Sequence, residues 1–104
     1  MKWGLSPFII GCIADILQKF PDIQSATIFG SRAKGTYKNA SDIDIAIHAP
    51  HRGATDFARL NFEIQETPIV YKMDVVHFDR LGNQEWADKI MREEQVFYPV
   101  RGDS

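Results

Sequence analysis

Cys12 is the only cysteine in the sequence. An internal disulfide is therefore excluded, and a thiol-rich metal centre with it. The apolar neighbours of Cys12 suggest a buried thiol, and this cysteine usage fits a cytoplasmic setting. Long hydrophobic runs are missing too, as is the pattern of a signal peptide, so a membrane span is not expected. Positive charge is in short supply: 12 Lys and Arg face 14 Asp and Glu, for a net charge of −2. A stable nucleic-acid binder would usually be basic. His48, His51 and His77 are too irregularly spaced to form a zinc set. Repeats, linkers and low-complexity segments are absent.

What is present is ordinary for a globular domain, with 44% hydrophobic and 25% charged residues in 104. That length suits one domain, 1–104, with an ordered part of about 6–98. Residues 6–20 read as a helix, with Ser6 as cap, Pro7 in the first turn and Ile9, Cys12, Ile13, Ile16 and Phe20 at helical spacing. Residues 25–29 read as a short strand stopped by Gly30. Residues 31–35 read as a helical turn, and 43–48 as a second strand. Residues 54–66 read as a helix with Phe57, Leu60 and Ile64 on one face. A long β-prone run, 69–78, is apolar on both faces, which suggests a largely buried strand. A last helix over 84–95 carries Trp86 and Ile90 toward the core, and Val96-Phe97-Tyr98 packs down after it. The end beyond Pro99 is expected to be mobile, and its Arg101-Gly102-Asp103 is read as a chance match to an adhesion tripeptide. The order of elements implies an α/β (α+β) fold, a small sheet flanked by helices.

The segment from Gly30 to Ile45 carries the chemistry. A glycine-bearing turn follows an apolar strand. After ten intervening residues come Asp42 and Asp44, one residue apart, at the head of the next strand. Glycine lets backbone approach a phosphate, and N–H groups in such a turn attract anions. Ser31 at the start of a helical turn would add to that. Asp42 and Asp44 alternate with Ile43, Ile45 and Ile47, so one strand face is apolar and the other bears both carboxylates, roughly 6.5 Å apart. A solvated face would more naturally mix charge signs. The pattern points to hard cations held before a polyphosphate. Arg32, Lys34 and Lys38 crowd the turn and either face phosphates or lie in solvent.

Asp74 interrupts the third strand. It either pairs with Lys72 or sits at a strand edge, or else it joins Asp42 and Asp44 to complete a two-cation site, as ligand and general base. His48 could line the same face, although a surface histidine is the simpler reading. His77 points opposite to Asp74.

Gly30-Ser31, ten residues and Asp42-Ile43-Asp44, together with Arg32-Ala33-Lys34-Gly35 and Ser41, resemble the signature of the polymerase-beta-like nucleotidyltransferases. The short length resembles their minimal members, the MNT proteins. The resemblance implies a nucleotidyltransferase fold with a mixed sheet, Mg2+ (two ions) and ATP as substrate. It places Asp42, Asp44 and Asp74 at the metals and as catalytic residues. Gly30 and Ser31, with Arg32, Lys34 and Gly35, would hold the phosphates. Many minimal members resemble antitoxins of HEPN–MNT toxin–antitoxin pairs, in which AMP is transferred from ATP to a tyrosine of a helical HEPN ribonuclease. The expected function is therefore protein adenylyltransferase and antitoxin, with the acceptor supplying part of its own pocket. The alternatives are an antitoxin that acts by binding alone and a transferase for a small molecule.

Overall fold

In the computed structural model, which describes residues 2–99, the Ser6 hydroxyl accepts the Ile9 N–H at 3.4 Å and starts the first helix. The readings of the terminal tripeptide and the mobile end lie outside the described residues. Helix α1 runs Pro7–Leu17, β1 Ser25–Phe29, α2 Ser31–Lys34, β2 Ile43–His48, α3 Ala54–Gln65, β3 Met73–His77, α4 Gln84–Glu93 and β4 Gln95–Tyr98, with a 3-10 turn at Phe78–Arg80. The strands form one mixed sheet in the order β3-β2-β1-β4. Strand β1 is antiparallel to β2 and β4, and β2 is parallel to β3, with α3 as the crossover.

Period-two alternation sorts the two faces. Ile43, Ile45 and Ile47 of β2, with Ala26 and Ile28 of β1, face Ile13 and Leu17 of α1 and Leu60 and Ile64 of α3. Each of these isoleucines is fully buried and contributes roughly 1.5–3 kcal/mol. The opposite face is thinner. There Ile90 of α4 covers Phe29 and Ala46, with Val76, Phe78 and Leu81 around it. This second face bears the acidic residues, because Asp44 and Ala46 share it.

Four details depart from the sequence reading. Helix α1 ends at Leu17, ahead of Pro21. Strand β3 begins only at Met73 and lies at a sheet edge, so it is half-buried rather than enclosed. Before it, Val70 projects to solvent and Tyr71 turns onto the guanidinium of Arg32, 4.7 Å from ring centroid to Cζ. The last helix stops at Glu93, and the segment expected merely to pack down is a fourth strand paired with β1. Trp86 is 40% exposed at the rim of α4, while Ile90, one turn on, is buried.

Candidate active site

Two strand registers assemble the site. In the antiparallel pair, Phe29 stands opposite Asp44, so Gly30, one step beyond Phe29, lies beside that aspartate. In the parallel pair, Asp44 stands opposite Asp74. Directly paired residues on neighbouring strands point to the same side. Asp42, two residues before Asp44, completes the acidic edge. The spacing in the signature is thus the length of chain needed to leave β1, make one helical turn and return antiparallel.

Gly30 has φ +75 and ψ −152, a conformation nearly confined to glycine. A Cβ placed there would run into the Asp44 carboxylate. Gly30→Ala is expected to lower the melting temperature by about 5–15 °C and to push Asp44 out of place. A variant melting like the wild type in a thermal scan would contradict this geometry.

Asp44 carries the electrostatic signature of the site. Burial pushes its carboxyl above the usual carboxylate range, and the charges of Asp74 and Asp42 push it further. Lys89 of α4 pulls the other way and Glu93 adds to the rise. Asp44 therefore feels both other aspartates, and the edge needs positive charge. Among the described residues, no three acidic, histidine or cysteine side chains are gathered at metal-holding spacing. Three like charges repel one another, which favours keeping them apart. The donor set is all carboxylate oxygen, which fits magnesium or another hard cation. Among the described residues, Asp74 makes no ion pair with Lys72.

The residues expected on the phosphate side are placed differently from one another. Gly30 and Ser31 lie at the start of α2, next to the acids. Lys34 reaches Glu93, with Nζ 3.5 Å from Oε2. Gly35 is the left-handed cap of α2 at φ +81, where its N–H bonds to the Ser31 carbonyl and ends the turn. Arg32 departs from expectation. It is 1% exposed, and its guanidinium donates to the carbonyls of Trp3, Gly4, Asn39 and Ser41. The rings of Tyr37 and Tyr71 flank it. A side chain so committed positions the loop and does not reach into the phosphate side.

His48 is half-buried rather than a plain surface residue. Its Nε2 lies 2.7 Å from Glu94 Oε1, which also accepts the Thr27 hydroxyl at 2.9 Å. His77 does point away from Asp74, stacking on Phe57 with ring centroids 4.7 Å apart. Lys89 and Glu93 escaped the sequence reading. A lysine and a glutamate four apart look like any solvated helix pair, and only the docking of α4 brings them to the acids.

Solved structures share this fold. A toxin–antitoxin with AMP-PNP is 22% identical, with a TM-score of 0.69 over 90% of this chain and 76% of that one. A mutant of the toxin–antitoxin MntA-HpeT is 18% identical, with a TM-score of 0.67 over 90% and 75%. A putative nucleotidyltransferase from Sulfolobus solfataricus is 20% identical, with a TM-score of 0.58 over 89% and 78%. No curated protein matches the sequence. The family model for Polymerase beta, Nucleotidyltransferase matches residues 12–100, from within α1 to beyond β4, and so takes in both the glycine turn and all three aspartates. The chain belongs to the polymerase beta nucleotidyltransferase family.

Proposed function

We propose that the chain is a protein adenylyltransferase that moves AMP from ATP to a tyrosine hydroxyl of a HEPN-type ribonuclease toxin in the cytoplasm, and so serves as the antitoxin. The observation carrying this reading is the register that sets Asp44 against Asp74 on one side and beside Gly30 on the other. The fold shared with toxin–antitoxin proteins, one of them with AMP-PNP, supports the nucleotide and the partner.

In this proposal Asp42, Asp44 and Asp74 hold magnesium, while Gly30, Ser31 and Lys34 hold the phosphates. Bound divalent ions would offset the triphosphate charge and lower the pKa of the attacking hydroxyl. Asp74 sits at the sheet edge, where an acceptor can approach, and one of its carboxylate oxygens takes the hydroxyl proton. The bond formed joins the tyrosine oxygen to the α-phosphorus. The bond broken releases pyrophosphate. The hydroxyl must arrive in line with that bond, so the partner has to dock before transfer.

The test combines the purified chain, magnesium, ATP labelled at the α-phosphate and the protein encoded next to its gene. Label should appear on a tyrosine of that protein and depend on magnesium. An unlabelled partner after prolonged incubation with folded, nucleotide-binding enzyme would overturn the reading.

A further inference from the structure

Glu93 lies where an anion is wanted. Its Oε1 accepts the Gly30 N–H at 3.2 Å. Its Oε2 is 3.5 Å from Lys34 Nζ and 3.8 Å from Lys89 Nζ. The carboxylate is 13% exposed, whereas the two lysines are about half exposed. Three donors from different parts of the chain thus converge on one acceptor: a backbone amide at the glycine turn, a lysine at the end of α2 and a lysine on α4.

The arrangement makes little sense as a stabilising ion pair. Both lysine contacts are long, and exposed pairs of this kind contribute little. Glu93 also adds negative charge to an edge that already holds three aspartates. A glutamate there is unfavourable for the acids and only weakly favourable for the lysines. As a placeholder the arrangement is coherent. Carboxylate and phosphate oxygens accept from the same donors, and a polyphosphate offers more charge and more oxygens. The single amide contacted by Glu93 belongs to the residue whose missing Cβ lets the backbone lie against Asp44.

We propose that Lys89, with Lys34 and the Gly30 amide, forms the seat for the terminal phosphates of a nucleoside triphosphate, and that Glu93 fills this seat in the free chain and is displaced when the nucleotide binds. The proposal rests on the nucleotidyltransferase reading of the same site and adds its gate. Before binding, Glu93 neutralises the lysines. After binding, the lysines turn to the phosphates and Glu93 swings toward solvent at the end of α4. Affinity for triphosphate is therefore held below what the donors could give.

The test is calorimetric titration of inorganic tripolyphosphate, with and without magnesium, into wild type, Glu93→Gln, Lys89→Ala and Asp15→Asn. The last removes an exposed acid on α1, across the sheet from α4, and controls for net charge. Glu93→Gln is expected to bind about three- to ten-fold tighter than wild type, Lys89→Ala weaker by a similar factor, and Asp15→Asn unchanged. The Gly30 amide resonance should shift when wild type takes up tripolyphosphate, as the N–H exchanges the Glu93 carboxylate for a phosphate oxygen. If Glu93→Gln binds no tighter, or Lys89→Ala binds like wild type, the gate is overturned while the transferase reading stands. If no form binds tripolyphosphate with or without magnesium, both fall together.

Discussion

Asp44→Asn is expected to abolish transfer and to make the protein more stable. The loss of activity should reach about three orders of magnitude or more, because the residue sits between the glycine turn and both other acids and its amide cannot supply the missing charge. The gain in stability follows from its titration. Burial, and then Asp74 and Asp42, raise the folded pKa above the unfolded one. For such a group the linked stability is fully present below the unfolded pKa and is lost as pH rises through the raised folded value. At neutral pH the ionised side chain therefore works against folding, and asparagine removes that opposition. Asp44 is half-buried and solvent screens much of the effect, so a rise in melting temperature of about 2–4 °C is expected near pH 7.5, shrinking toward pH 4.5. Magnesium should stabilise the wild type by mass action and leave the variant nearly unmoved. Melting curves at the two pH values, each with and without magnesium, read all of this. A variant that melts lower than wild type at neutral pH without magnesium would show that the three acids do not strain one another.

Some of the site could be read directly because its information is local. Asp42 and Asp44 alternate with three isoleucines, and alternation on a strand fixes which face each side chain takes. Gly30 ends an apolar strand, which marks a turn. Asp74 was visible as an interruption in a β-prone run, but its role depends on a strand order that no spacing within that run encodes. Its alternative partner, Lys72, is set aside only in three dimensions. Strand β3 starts later than propensity predicts because Ile69, Val70 and Tyr71 are placed off the sheet: Ile69 packs against the core, Tyr71 lies over a guanidinium and Val70 faces solvent. Propensity for the pleated state is weak when a tertiary contact competes. Strand β4 has only four residues, too few for a periodic signal, and forms because β1 offers it an open edge. The Lys89–Glu93 pair carried no sequence signal.

Arg32 is the residue the sequence most misled about, and its replacement should have the largest effect on stability. A cationic side chain in a glycine turn suggests solvent or phosphate. Here the guanidinium is the hub that holds three segments together. It donates to Trp3 and Gly4 in the N-terminal turn and to Asn39 and Ser41 in the loop before β2, and its Cζ lies 5.1 and 4.7 Å from the ring centroids of Tyr37 and Tyr71. Neither segment has a regular ladder of its own at these carbonyls. Arg32→Met keeps most of the volume but takes the donor from four carbonyls, three of them on half-buried residues and Asn39 on an exposed one, at a cost of up to about 1–3 kcal/mol each where water does not replace the bond. With partial relaxation the net loss should be about 3–5 kcal/mol, comparable to breaking a buried charged network. For a chain of this size the melting temperature should fall by about 15–25 °C. Arg32→Lys restores the charge but not the planar fork and should recover less than half of that loss. Because the Ser41 carbonyl immediately precedes Asp42, the lysine variant, assayed well below its melting point, should also transfer more slowly while binding tripolyphosphate nearly as well as wild type. The reverse pattern, an unchanged melting temperature with a sharp loss of tripolyphosphate affinity, would return Arg32 to the phosphates and refute its role as the hub of the loop.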